Sequence, residues 1–256
     1  MNISPMESRT IWDNNTQRDF WNKWDTKHLQ PETIGAEALE RGNAVISLIQ
    51  SLNRRDLRIL EVGCGNGWLA KKMLPFGTVT GIDISDAAIA EAMTNVPEAT
   101  FYSGDALSVN LKEKFDLVVT LETFSHVPDQ PKFVQYIADH LNDGGHTIIT
   151  TQNRTVCLRR EDIQPPATGQ LRRWVNVGQL KAFLSPWFDV KKSFSLRPSG
   201  HKGFLKLVNS RKINRVVNIF LPAQKIKEAC NLGQTLIVLA QKKQLTDYLP
   251  AQAKKW

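Results

Sequence analysis

The sequence predicts an α/β protein built on a mainly parallel, doubly wound sheet, and three observations point there. Short apolar runs at 58–62, 78–82, 100–102, 115–121, 146–151 and 234–240 have strand length, and helical stretches or loops separate most of them. Such alternation gives a sheet covered by helices on both faces. The first run leads into "ILEVGCGNGWLA", residues 59–70, where Gly63, Gly65 and Gly67 occupy alternate positions directly after a buried-strand pattern. At 256 residues and 41% hydrophobic content, the chain is long enough for one large domain, or one domain with a sizeable insertion.

Residues 15–28 and 33–53 read as helices, the second with an apolar stripe of Ala36, Leu39, Ala44, Leu48 and Leu52. After the first strand, the three glycines let the backbone turn tightly and let a ligand approach with no Cβ in the way. In a sheet of this kind ligands sit outside the carboxyl ends of the strands, which is where this loop lies. A dinucleotide fingerprint wants its third glycine where this chain has Trp68, and a P-loop wants Gly-Lys-Ser/Thr, so neither fits. Twenty residues after Gly63, "VTGIDIS" delivers Asp83 at the end of the second strand. An acid there accepts hydrogen bonds from both hydroxyls of a ribose, which implies an adenosine-type ligand. The segment "DQPKFVQYIADHLNDGG" reads as a helix with Pro131 near its start, Phe133, Val134, Ile137 and Leu141 on one face, His140 in the last turn and Gly144 as its stop. Asp116 reads as a surface residue at a strand start.

Charge is distributed unevenly. The net charge of +8 combines residues 1–150, with 13 Lys/Arg against 20 Asp/Glu, and residues 151–256, with 20 against 5. A basic half attracts phosphates, nucleic acid or an anionic membrane, or simply keeps a surface solvated. No run approaches the length of a membrane span, and the polar start lacks a secretory pattern, so a cytoplasmic protein is expected. Cys64, Cys157 and Cys230 are odd in number and match no metal-binding spacing, so neither disulfides nor a zinc site is expected.

Taken together, these segments resemble the class I S-adenosylmethionine-dependent methyltransferases. The resemblance rests on "LEVGCGNG", "GIDIS", "SGDAL", "FDLVVTLETFSHVPD" and "LNDGGHTIIT", in the family's order across about 60–150. It implies a Rossmann-like sheet of seven strands with an antiparallel last strand. N-terminal helices (1–56) would either form a lid or pack on the sheet, a core (57–153) would bind cofactor, and an acceptor side (154–256) would carry a basic helical insertion at about 197–231 between strands six and seven. The segment after the fourth strand is most similar to the small-molecule O-methyltransferases of ubiquinone biosynthesis, and "VNVGQLKAFLSPWFDVKKS" resembles the same group's late helix and sixth strand.

Carried over by residue, the resemblance implies that Glu61 and Gly63 contact the methionine part of S-adenosylmethionine, while Gly65 and Gly67 line its approach. Asp83 would hold the ribose, Ile84 would pack on the adenine, Asp105 and Ala106 would meet the adenine's polar edge, and Leu121 would contact the methionine end. Cys64 lies in the same loop, where a small side chain serves packing. A methyltransferase must align a nucleophile with the reactive methyl and, for a hydroxyl, remove a proton. His126 is the first candidate for that base, against a structural role for its ring in ordering the loop. Glu122 and Ser125 follow, with His28 if the segment bearing Trp21 and Trp24 folds over the site.

The loop "LETF" lacks the Asn/Asp-Pro-Pro-Tyr/Phe sequence of amide and adenine N-methyltransferases, and no Asp, Asp-Asn cluster suggests a catalytic magnesium ion. The expected function is therefore metal-independent methyl transfer to a small or lipid-like acceptor, at oxygen, with nucleic acid a less favoured partner. An RNA-modifying methyltransferase using the basic half, or a non-catalytic scaffold, are the alternatives. In the insertion, Phe204, Leu205, Leu207 and Val208 cluster on one side of a helical projection and Ile213, Val216, Val217 and Phe220 on nearly the opposite side. A break at Asn209-Ser210 resolves the conflict, with Pro222 ending the second helix. The insertion is read as a lid over the acceptor, with peripheral membrane contact or an RNA or protein surface as the other readings.

Overall fold

A computed structural model of the chain describes residues 13–28, 34–200, 202–210, 214, 215 and 222–244, with 25–28 described by backbone alone. Seven strands form one sheet: β1 (Leu57–Val62), β2 (Gly77–Asp83), β3 (Thr100–Ser103), β4 (Phe115–Leu121), β5 (Leu141–Gln152), β6 (Phe188–Pro198) and β7 (Gly233–Lys242). Their order is β3-β2-β1-β4-β5-β7-β6. The first five run parallel, and β7 lies antiparallel between β5 and β6. The Rossmann-like sheet with an antiparallel last strand is thus observed.

The strand sequences explain the layering. Successive side chains point to opposite faces, so in β1 Ile59 packs on one side of the sheet and Leu60 on the other. One face buries Val45, Leu48 and Ile49 of α2 (Ala36–Ser51), Leu69 and Met73 of α3 (Trp68–Met73), and Ile89 and Ala92 of α4 (Asp86–Asn95). The other buries Phe133, Val134 and Ile137 of α5 (Gln130–His140) and Leu180 and Leu184 of α7 (Val177–Leu184). A short α6 (Arg154–Cys157) follows β5, and a helix α1 (Asn14–His28) precedes α2. Burying each such large apolar side chain contributes about 1.5–3 kcal/mol, so packing rather than helix propensity holds these elements. At the start of β2, Gly77 adopts φ +153°, and a Cβ there would lie 1.9 Å from the Leu57 carbonyl oxygen, so only glycine lets β2 start so close to β1. Among the described residues, no helix is long and apolar enough to cross a membrane.

Two expectations are corrected. Helix α5 ends at His140, not at Gly144, because Leu141 already pairs with Phe115 in the sheet. Gly144, at φ +72°, belongs to an irregularity in which the register shifts between Phe115 and Leu117. Asp116 is not a bare surface residue: it accepts from Arg58 N at 3.0 Å, Arg54 Nη2 at 3.1 Å and Asn142 Nδ2 at 3.4 Å. Burial works to raise its pKa, but these donors outweigh it and hold the carboxyl below its usual range. In the insertion, α8 (Phe204–Val208) stops at Asn209 as expected. Pro222 stands at the N-cap of α9 (Ala223–Ala229), where proline's fixed φ and missing N–H suit a helix start, and the segment 216–221 that it is expected to close lies outside the described residues. The second apolar cluster, Ile213, Val216, Val217 and Phe220, lies outside the described residues.

Candidate active site

The sheet order reverses between β1 and β4, and the loops leaving their carboxyl ends frame a cleft of about 590 Å³. The glycine loop has φ +78° at Gly63, +51° at Gly65 and +79° at Gly67. Gly63 N and Cys64 N both donate to Ile82 O, at 2.7 and 3.1 Å, which ties the loop to the end of β2. A Cβ on Gly63 would lie 1.9 Å from Thr123 Oγ1, in the loop after β4, so a side chain there cannot be accommodated.

Two buried carboxylates stand at the strand ends. Asp83 accepts from Gly65 N and Ser85 N, each at 2.9 Å, and so bridges the glycine loop to the start of α4. Burial raises its pKa despite these donors. Glu61 is almost fully buried, and its Oε2 has no hydrogen-bond partner. Burial first, and the charge of Asp83 second, push the Glu61 pKa well above the usual carboxylate range, with the Ala70 N–H only partly offsetting them. A buried like-charged pair with an unsatisfied oxygen costs free energy unless a cation or hydrogen-bond donor completes it. The residues therefore fit a ligand that brings a positive charge to Glu61 and hydroxyls to Asp83.

Of the other residues expected to hold cofactor, Ile84, Asp105, Ala106 and Leu121 line the cleft. Asp105 Oδ1 accepts from Leu107 N at 3.1 Å, and its Oδ2 accepts from Ser108 Oγ at 3.3 Å, which closes the loop after β3. Cys64 borders the cleft, but its Sγ packs beside Gly81, where a Cβ would come within 2.8 Å of it. Gly67 does not line the cleft: it precedes α3 and faces Phe101, Val96 and Ala92 in the core.

The loop after β4 carries the candidate bases. Glu122 has φ +61°, a strained conformation for a side-chain-bearing residue, costing about 1–3 kcal/mol and common at functional sites. Its N–H donates to Thr150 Oγ1 at 2.9 Å, and its Oε1 accepts from the same hydroxyl at 3.3 Å. Burial raises the Glu122 pKa, while Arg41, Thr150 and Gln152 work against that rise. His126 also lines the cleft, with Nδ1 2.6 Å from Leu171 O and its ring edge-on to Trp21 at 4.9 Å between centroids. A carbonyl only accepts, so Nδ1 carries the proton and Nε2 the lone pair. Burial, chiefly, lowers the His126 pKa to about 4, with Arg172 adding to the effect and the Leu171 bond opposing it. Ser125 is buried without a partner for its hydroxyl and does not line the cleft. His28 ends α1, and its side chain lies outside the described residues.

Helix α1 lies over this site. Gln17 bonds Gly169 O and accepts from Leu171 N, Asn22 Oδ1 accepts from Ser85 Oγ and Ala87 N, and Trp21 and Trp24 face the cleft. Sequence reasoning missed the far wall: Arg41 on α2, Gln152 at the end of β5, Gln170 and Arg172 in the following loop, and Gln234 on β7. Only Gln152 left a signal, as the first long polar residue after "TIITT". No described residue of 199–230 lines the cleft.

A family model described as a methyltransferase domain matches residues 36–196. The chain is 32% identical over 145 residues to a ubiquinone biosynthesis O-methyltransferase of Caulobacter sp. (strain K31), covering 50% of this chain and 58% of that protein. It is 31% identical over 115 residues to a malonyl-[acyl-carrier protein] O-methyltransferase of Bacillus anthracis, covering 41% and 43%. The chain thus spans about half the length of the curated relatives it matches. In fold it is similar to the N-methyltransferase NodS of Bradyrhizobium japonicum WM9, solved with S-adenosyl-l-homocysteine, at TM-score 0.62 and 16% identity, covering 90% of this chain and 99% of that one. The magnesium protoporphyrin IX methyltransferase of Synechocystis PCC 6803 aligns at TM-score 0.63 and 14% identity, covering 90% and 100%. With its family model spanning the cleft-forming strands from α2 to β6, the chain belongs to the methyltransferase-domain family.

Proposed function

We propose that the protein transfers a methyl group from S-adenosylmethionine to an oxygen of a small-molecule acceptor. The observation that carries this reading is the buried Glu61–Asp83 pair beside the glycine loop, with Glu61 Oε2 unpartnered. When bound, the cofactor supplies an electrophilic methyl on a sulfonium sulfur. Glu61 would take its ammonium and Asp83 its ribose hydroxyls, while Ile84, Asp105, Ala106 and Leu121 would enclose the remainder. Trp21 and Trp24 would cover a planar acceptor and exclude water. His126 Nε2, the free lone pair of a neutral ring, would orient the acceptor hydroxyl and take its proton, and Glu122 would stand behind it as a second base. The names of the curated relatives support oxygen as the methylated atom.

Incubating the protein with methyl-labelled cofactor and fractionated extract of its own cell should label a small-molecule or lipid pool. Label confined to RNA would overturn the small-molecule reading. Exposed Phe204, Leu207 and Ile226, set among Lys202, Lys206 and Lys225, support a peripheral contact of the insertion with an anionic surface. Co-sedimentation with anionic but not neutral vesicles at low salt is the expected outcome, and equal recovery with both would remove that contact.

A further inference from the structure

The cleft carries two cations among its acids. Glu61, Asp83 and Asp105 line it from the ends of β1, β2 and β3, Glu37 and Glu122 line it near Arg41, and Arg41 and Arg172 face it among the amides Gln152, Gln170 and Gln234. Neither arginine is fully compensated. Arg41 has a side chain only 17% exposed, its contact with Glu37 is long at 3.9 Å, and its Nε is buried with no hydrogen-bond partner. Glu37 is itself drawn away, because Arg197 Nη2 lies 2.9 Å from its Oε1.

Arg172 is half-buried and rigidly held, but by neutral groups. Its Nη1 donates to Gln164 O at 2.7 Å, its Nη2 donates to Gln170 Oε1 at 3.0 Å, and its guanidinium lies 5.4 Å from the Trp174 ring centroid. Among the described residues, no carboxylate comes within 4.0 Å of it in an ion pair. The two cations flank the candidate bases: Arg41 acts electrostatically on Glu122 and Arg172 on His126. Partly buried guanidiniums whose anionic partners are distant, as for Arg41, or lacking within ion-pair range, as for Arg172, are costly, and a planar carboxylate accepting two parallel N–H groups relieves that cost best.

We propose that the acceptor is a planar organic acid whose carboxylate is gripped by Arg41 and Arg172 while its ring lies against Trp21 and Trp24. This rests on the methyl-transfer reading and adds to it the class of acceptor. The two arginines would then determine specificity: a neutral analogue brings neither a close anion, and such a site discriminates by the cost of the charge left uncompensated.

Titration calorimetry on the full chain loaded with S-adenosylhomocysteine tests it, with 3,4-dihydroxybenzoate and its methyl ester as probes. The acid should bind about tenfold or more tightly than the ester, as charge-assisted hydrogen bonds predict. Arg41→Gln and Arg172→Gln should each bring the two probes to near-equal affinity while S-adenosylhomocysteine still binds, which also shows that the variants fold. Arg172→Lys, which keeps the charge but loses the planar fork, should retain part of the preference. Equal binding of acid and ester, binding of neither probe to the loaded protein, or a preference that survives both glutamine substitutions would overturn the proposal. Failure of S-adenosylhomocysteine itself to bind would instead overturn the methyl-transfer reading on which it rests.

Discussion

Asp83→Ala is expected to weaken S-adenosylhomocysteine binding by about 1.5–3 kcal/mol, about 10- to 150-fold, as for lost hydrogen bonds to a charged group. The loss has two sources, and Asp83→Asn separates them. Alanine also releases Gly65 N and Ser85 N, which the carboxylate holds at 2.9 Å, so the glycine loop loses its tie to α4. Asparagine keeps one acceptor oxygen but removes the charge. The neighbouring Glu61 adds a pH dependence with a definite sign. Its pKa is raised well above the usual carboxylate range before the ligand binds, and a ligand ammonium favours the ionised form, so binding releases a proton and tightens as pH rises towards that raised pKa. Without ligand the sign reverses: stability from protonated Glu61 is present below the ordinary carboxylate pKa and is lost as pH rises through the raised one. Calorimetry in buffers of different ionisation enthalpy should detect the released proton, and Glu61→Gln should abolish it. An affinity for S-adenosylhomocysteine that Asp83→Ala leaves unchanged would remove the cofactor assignment.

The cofactor side of the cleft was readable because it is local. Glu61 and the glycine loop are contiguous, and Asp83 stands at a strand end that the apolar run "VTGID" announces, so strand pattern and loop chemistry together place them. The strands themselves were readable for the same reason: β1 and β4 are apolar runs almost wholly buried, β2 and β5 carry buried apolar runs, and the short edge strand β3 buries Phe101. The far wall was not, because it is assembled across elements. Arg41 falls on the same face of α2 as Val45, Leu48 and Leu52, where a charged residue reads as a break in the apolar stripe, Arg172 sits in a loop with no periodicity, and Gln234 is near the start of a strand that pairs with β5 from the opposite direction. Nothing in the one-dimensional pattern says that these three meet. The end of α5 failed for a different reason. Helical spacing carries Leu141 as well as sheet pairing does, and the competition is settled by Phe115, which takes Leu141 into the sheet. Gly67 shows the limit of motif reasoning: its positive φ shapes the turn, yet its Cα faces the core rather than the cleft.

His126→Ala is expected to lower turnover with the natural acceptor by about 10²-fold or more while leaving S-adenosylhomocysteine affinity intact, the magnitude typical of a removed general base. The geometry supports a base that needs no prior deprotonation. Leu171 O fixes the proton on Nδ1, and burial holds the ring neutral down to a pKa of about 4, so Nε2 offers a lone pair across the neutral range. That depression also makes the ring a weak proton sink, whereas burial pushes the Glu122 carboxyl the other way, which makes Glu122 the alternative base. The two make different predictions for pH. With cofactor saturating, so that Glu61 and Asp83 are held by ligand, a base with the pKa of His126 leaves kcat flat until pH falls towards about 4, because only protonation of Nε2 removes it. If Glu122 were the proton acceptor, the acid limb would lie at the higher pH of its raised carboxyl and would disappear in Glu122→Gln. A flat profile to low pH with a large loss in His126→Ala assigns the proton to His126. Full activity in His126→Ala would leave the ring as a structural link between Leu171 and Trp21, and Glu122 as the base.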